Sequence, residues 1–386
     1  MCRRYQRQGE FTVKMSLLLV FWTTLGLQPA FAQSDMVRRC NLATASADDV
    51  TRPHDIPGVA FDQINPAVAV PACEAAVSAN PGVARLQFEL GRALEAAKRL
   101  GEARAAYERA AAKDFALAEA NLATLYRLGE GVPKDYVKSM AWYRKAADQG
   151  LASAQVNVGH LYYEGDGVAK NYAEAMKWYR RAADQGDQDG QAKLGEMYFN
   201  GRGVQKDPSQ AFDWFRKAAE QGNVDSQSML GWMYWEGIGV PKDNAQAASW
   251  FRKAADQGDA DAQTALGAMY VDGEGVPKDN GKAEFWYRKA AAQGNTVAQS
   301  KLKGLANLAQ VNQETAAQET RQAALLAKRK EVGDLVCNAD GVVWGYVERV
   351  YKDKIQIRYQ HTFFVSHPYD ELFWKNYNEV IVCSDK

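Results

Sequence analysis

Five tryptophans, Trp142, Trp178, Trp214, Trp250 and Trp286, stand 36 residues apart without a slip, and each opens a near copy of one nonapeptide, WYRKAADQG at 142–150. Gly129, Gly165, Gly201, Gly237 and Gly273 keep the same period. A fixed period of this length admits few folds. It specifies a stack of identical supersecondary units, each burying its apolar face only against its neighbours.

Each unit reads as two helices. In SAQVNVGHLYYEG, Val158, Leu161 and Tyr162 share a face by helical spacing, and Gly165 ends the helix as a residue free to turn left-handed. A GxGV segment then reverses the chain. The second helix is announced by Asp135, Asn171, Asp207, Asp243 and Asp279, whose side chains can accept a hydrogen bond from a first-turn amide. Pro208 follows at the first helical position of one copy. Inside this helix Ala175, Trp178 and Ala182 set one large ring between two small residues, where a neighbouring helix can approach closely. Gly150, Gly186, Gly222, Gly258 and Gly294 end it. The nonapeptide is therefore a packing ridge rebuilt in every unit.

These residues carry a family resemblance: AxxxLGxMYxxGxGVxKDxxxAxxWYRKAADQG is similar to the Sel-one-like repeat, a relative of the tetratricopeptide repeat. The resemblance covers residues 117–304, with five full copies and a half copy, NTVAQSKLKGLANL, in which Lys303 replaces the usual Gly. Upstream, residues 82–116 resemble one tetratricopeptide unit, with Gly91, Ala93, Tyr107 and Ala111 near their expected places. The fold class this implies is mainly α, a right-handed α/α superhelical solenoid.

The two ends differ from the repeats. Arg3, Arg4, Arg7 and Lys14 precede an apolar run at 17–27 and an Ala30-Phe31-Ala32 pattern, so residues 1–32 read as a signal peptide cleaved near Ala32; the start could be Met1 or Met15, and a membrane anchor is the rival reading. Residues 33–81 hold a short helix expected to cap the open end of the stack. Residues 305–331, rich in Ala, Gln, Glu and Lys, favour a polar linker helix. Residues 332–386 then break into short β-branched and aromatic runs between turn residues, which predicts a small all-β domain; its strand lengths and order resemble SH3-like barrels.

Export makes disulfides permissible, and loss of Cys2 with the leader leaves Cys40, Cys73, Cys337 and Cys383. Four cysteines allow three pairings. Cys40–Cys73 and Cys337–Cys383 are favoured, because each pair brackets one end of the chain.

Chemistry is sparse. The four histidines, His54, His160, His361 and His367, lack zinc-ligand spacing, and no nucleophile elbow or phosphate loop occurs. Gln185, Asp187, Asp189, Gly190 and Glu196 sit at calcium-loop offsets, but Gln replaces the leading Asp, and Asp187 reads as a helix cap like Asn223, Asp259 and Asn295. No enzyme, cofactor or metal is expected. Lys and Arg total 47, as do Asp and Glu, so net charge draws the chain neither to nucleic acid nor to anionic lipid. The Arg-Lys pairs recurring in the second helices are expected to meet Asp148, Asp184, Glu220 and Asp256 four residues on.

Comparing the copies separates scaffold from variable positions. One first-helix stripe reads Asn157/His160/Glu164, Lys193/Glu196/Asn200 and Met229/Trp232/Glu236 in successive units, with Tyr163, Phe199 and Trp235 beside it. The candidate partner-binding set is Asn157, His160, Tyr163, Lys193, Glu196, Phe199, Met229, Trp232 and Trp235, an aromatic ledge. The competing reading makes the rings filler between units, and Trp232 is the firmest exposed candidate. The family resemblance implies an exported scaffold or adaptor that binds a protein or peptide in envelope or signalling complexes. Peptidoglycan binding through the β-domain or the ledge is the alternative. A β-lactam-binding or hydrolysing enzyme ranks last, since the helix-to-helix cysteines of such relatives are missing.

Overall fold

The computed structural model describes residues 27–329 and, beyond them, strands at 335–337, 343–351, 354–359, 372–376 and 381–382. Most of the expected leader therefore lies outside the described residues, as does the expected Cys337–Cys383 bridge. The chain divides into two units, Met1–Lys278 and Asp279–Lys386.

The first unit is a stack of helical hairpins. It begins with α1 (Leu27–Thr44), a short 3-10 turn and α2 (Pro66–Ala79), followed by the upstream hairpin of α3 (Ala84–Ala96) and α4 (Leu100–Ala111). Repeats follow as α5 (Ala116–Leu128) with α6 (Tyr136–Asp148), α7 (Ala152–Glu164) with α8 (Tyr172–Asp184), α9 (Gln188–Asn200) with α10 (Pro208–Glu220), and α11 (Val224–Glu236) with α12 (Asn244–Asp256); α13 (Ala260–Asp272) begins the next. The sequence expects only one helix ahead of the tetratricopeptide-like hairpin at 82–116. It misses α1, whose polar, weakly periodic residues give no clear apolar stripe.

The expected start and stop residues do their work. Asp207 accepts from the Ser209 and Gln210 amides at 3.1 and 3.0 Å, and Asp135 from the Lys138 amide at 2.9 Å. Donation from the Gln210 amide holds Asp207 below its usual carboxylate pKa, as the Lys138 amide does for Asp135. Gly201 and Gly237 cap their helices at φ 70° and 73°, values a side chain with a Cβ rarely adopts.

The deepest ring of the nonapeptide is the residue after the tryptophan. Tyr143, Tyr179, Phe215 and Phe251 are buried, whereas Trp142, Trp214 and Trp250 are half-buried and only Trp178 and Trp286 of the five tryptophans are buried. Each of three rings sits under a glycine of its own repeat's first helix: a Cβ on Gly159, Gly195 or Gly231 would come within 2.6, 2.7 or 2.6 Å of Tyr179, Phe215 or Phe251. The hairpin closes at glycine distance, which is why LG recurs in the first helix.

A half-buried amide ladder joins the hairpins. Gln185, Gln221 and Gln257 each donate, at 2.8 Å, to Gln155, Gln191 and Gln227 of their own repeat. Gln155 and Gln227 in turn donate to the carbonyls of Ala147 and Ala219 in the preceding second helix, at 3.1 and 3.0 Å. Buried Gln155 and Gln227 are thus satisfied across three helices, which favours this stacking register.

The repeated cations depart from the expected pairing. Arg144 reaches Asp148 only at 4.0 Å, and Arg216 pairs with Asp213 at 3.2 Å. Arg180 instead donates to the Tyr198 hydroxyl at 2.9 Å, in the first helix of the next repeat, and Arg252 donates likewise to Tyr270. Lys217 and Lys253 lie 4.0 and 3.6 Å from the ring centres of Trp214 and Trp250. A partly desolvated ring face or hydroxyl competes well with a solvated carboxylate, whose salt bridge is worth little.

In the second unit, α14 (Asn280–Ala292) is capped by Asp279, which accepts from the Lys282 amide at 2.9 Å. α15 (Thr296–Arg329) runs as one helix through the expected boundary at 304/305, because Ala309 stands where the period would place a turn glycine. Five antiparallel strands follow: β1 (Leu335–Cys337), β2 (Val343–Tyr351), β3 (Lys354–Tyr359), β4 (Leu372–Asn376) and β5 (Ile381–Val382), in the order β4-β3-β2-β1-β5.

Candidate functional site

The variable stripe faces solvent. His160, Glu164, Asn200, Trp232 and Glu236 are exposed, and Asn157, Lys193, Glu196 and Met229 are half-buried. Trp232, at 37% exposure, is the most open aromatic of the described repeats in the first unit. The flanking rings Tyr163, Phe199 and Trp235 are half-buried, so they are neither core nor free. Each leans edge-on against another ring: Tyr163 on Tyr172 at 5.1 Å, Phe199 on Trp232 at 5.8 Å and Trp235 on Phe251 at 5.9 Å. These contacts hold the exposed edges in fixed positions, a low-entropy way to present contact area.

A groove of about 530 Å³ crosses α7, α9, α11 and the start of α13, lined among others by Tyr163, Glu196, Phe199, Arg202, Met229 and Asp225. It gathers four of the expected residues. Trp232 adjoins it through Phe199, and Lys193 is tied to Glu196 at 2.7 Å. Trp235 points its indole NH to Glu274 at 2.7 Å, and Asn157 is engaged with the Ser153 carbonyl.

The sequence reading passes over Arg202, which lies 5.3 and 5.9 Å over the Tyr163 and Tyr172 rings, and Asp225 and Asp261 on the rim, whereas Asp259 beside them caps α13 as expected by accepting from the Ala262 amide. The period does offer a signal for the acids: Asp189, Asp225 and Asp261 recur 36 residues apart.

Elsewhere the chemistry is structural. Asp187, in the calcium-like stretch, caps α9 by accepting from the Gly190 amide at 2.7 Å, and burial raises its pKa. Two wider hollows, about 770 and 820 Å³, flank α1, but their rim charges pair with one another, Arg38 with Asp55 and Arg39 with Asp35.

Cys40 and Cys73 are joined as expected, crosslinking α1 to α2. Buried Glu89 lies 3.2 Å from Cys40 Sγ, and these three residues are the one group of metal-ligand type among the described residues. With both sulfurs committed to each other they form a crosslink with a carboxyl beside it. Burial pushes Glu89 up to about 8, against the lowering influence of Arg85.

A model of the Sel1 repeat matches residues 116–151, 152–187, 188–223, 224–259 and 260–295. Among solved structures, the chain is similar to a protective antigen present in uropathogenic Escherichia coli strains, at 38% identity and a TM-score of 0.58, over 71% of this chain and 60% of that one. It thus spans less than two thirds of the antigen's length. It is also similar to a Sel1 repeat protein from Oxalobacter formigenes, at 37% identity and a TM-score of 0.54, over 56% of this chain and 89% of that one. No curated protein sequence matches. No helix among the described residues is long and apolar enough to cross a membrane.

Proposed function

Because this chain belongs to the Sel1 repeat family, we propose that it is a non-enzymatic scaffold, exported to the periplasm, that docks a protein or peptide partner on the face formed by its first helices. One observation carries this reading. Along α7, α9 and α11 the solvent-facing stripe changes character in every unit, from His160 to Glu196 to Trp232, while the packing residues beneath it, such as Leu161, Met197 and Met233, stay apolar. Packing explains the constant positions; only a partner gives the variable ones a task.

The Cys40–Cys73 disulfide supports an oxidising compartment. The strand order β4-β3-β2-β1-β5, a meander whose last strand returns beside the first, supports an SH3-like barrel appended to a right-handed solenoid.

Affinity capture from periplasmic extract tests the proposal. A Trp232→Ala, His160→Ala variant is expected to melt with the parent, since both side chains are exposed, and to lose at least one specific partner. A partner list unchanged by the two substitutions contradicts the proposed face.

A further inference from the structure

We propose that Glu119 makes the junction between the α3–α4 hairpin and the repeats a pH-sensitive joint, held by a hydrogen bond from the protonated carboxyl to the Ala111 carbonyl and released when the proton leaves. This is independent of the docking reading above.

The amide ladder breaks at that junction. Gln155, Gln191, Gln227, Gln263 and Gln299 stand 36 residues apart near the start of successive first helices, and Glu119 holds the same place in α5. Gln155, Gln227 and Gln263 donate back to the carbonyls of Ala147, Ala219 and Ala255 in the preceding second helix, at 3.1, 3.0 and 3.0 Å. Ala111, the last residue of α4, stands 36 residues before Ala147, so the period assigns its carbonyl to Glu119. The accepting half of the pattern survives: Gln149 donates to Glu119 Oε2 at 2.6 Å, as Gln185 does to Gln155 at 2.8 Å. The donating half is lost while the carboxyl is ionised. Glu119 is 0% exposed, and its Oε1 has no hydrogen-bond partner among the described residues. A proton on Oε1 turns that unpaired acceptor into the donor that glutamine supplies at the later junctions.

Two charges act on Glu119 from the elements around it. Lys145 of α6 lies 3.9 Å from Oε1 and favours the carboxylate, whereas Asp114, in the turn that leaves α4, favours the acid. Residues 152–158, at the start of α7, carry no charge. Lys145 is 55% exposed and lies 4.9 Å from the centre of the Trp142 ring; a cation so solvated holds a carboxylate weakly. Burial outweighs it and raises the Glu119 pKa above 4.5. The fold therefore prefers the proton that the unfolded chain gives up near 4.5. The joint is tightest in mild acid and loosens as the pH rises through the folded-state value. What it releases is the α3–α4 hairpin with the helices before it, since a stack holds each unit only through its neighbours.

Hydrogen exchange over α4 and α5 tests this in a Glu89→Gln background, which removes the largest competing titration. Protection factors there are expected to fall roughly fivefold from about pH 5 to about pH 8, while α9–α12 keep theirs. A further Glu119→Gln substitution should abolish the fall and keep, at the higher pH, the protection its reference shows at the lower. Glu119→Met removes the charge but supplies no donor. It should be equally flat with pH, yet roughly fivefold less protected than the glutamine variant. Protection that falls as steeply in Glu119→Gln as in its reference, or that does not fall in the reference, overturns the inference. Equal protection in the glutamine and methionine variants overturns the hydrogen bond, and the joint with it.

Discussion

Raising the pH from 5 to 9 is expected to destabilise the N-terminal end of the first unit by on the order of 4 kcal/mol, and a Glu89→Gln substitution should remove most of that loss. Glu89 is 0% exposed, and burial raises its pKa from 4.5 to about 8. Arg85, 3.8 Å away, and Arg92 pull it down, and Asp49 pushes it up. With the amide nitrogen of Asn41 turned toward it, both carboxyl oxygens accept, at 2.9 and 2.7 Å. A protonated carboxyl can also donate to Cys40 Sγ, 3.2 Å away. The fold thus holds the neutral acid, whereas the unfolded chain ionises it near 4.5. The contribution is full below pH 4.5, declines as the pH rises and is gone above about 8. Burial also raises Glu95 and Glu119, which adds a smaller slope of the same sign. Denaturant unfolding at several pH values, with hydrogen exchange read over α1–α3, checks the prediction. A Glu89→Gln variant whose stability falls as steeply as the parent's contradicts it.

The second large effect is loss of the Cys40–Cys73 crosslink. It closes a loop of sequence separation 33, for which chain entropy alone predicts about 3–4 kcal/mol of stabilisation. A Cys40→Ser, Cys73→Ser variant should therefore open its N-terminal end far more readily. Both sulfurs are buried beside Thr44, whose hydroxyl is held by the Cys40 carbonyl at 2.8 Å. Because stability in a stack is a sum of units and their interfaces, the loss should stay local: exchange in α1–α4 rises while α9–α12 keep their protection. Uniform loss of protection across all helices would contradict that picture, as would no loss at all.

The repeats were legible because each turn rests on a residue with a special backbone or capping role, and such residues recur at a fixed period. Asp207 and Gly237 announce themselves. The closest packing was harder to read. The buried ring follows the tryptophan and meets Gly195 or Gly231 in another helix, a contact that depends on how two helices cross. The partners of Arg180 and Gln221 were knowable in principle, since Tyr198 and Gln191 recur with the same period; a rule confined to neighbours on one helix does not reach them. Glu89 left no trace in the sequence. Its burial comes from α1 and from the disulfide chemistry beside it, neither of which repeats.

The candidate face was half legible. Variation among copies pointed to His160, Glu196 and Trp232, all of which lie at the surface, and to Phe199 and Met229, which the groove gathers. Asp225 and Asp261 were passed over because acids in a first helical turn are expected for capping reasons alone. Their alignment along one groove emerges only when successive helices are placed side by side.

Site-directed photocrosslinking tests the central claim most directly, with a photoreactive residue placed either at Trp232 on the first-helix face or at Lys217 on the second. The account predicts a discrete adduct with a partner at Trp232 and none at Lys217. Adducts formed at Lys217 alone would put the docking surface on the opposite helices and contradict it.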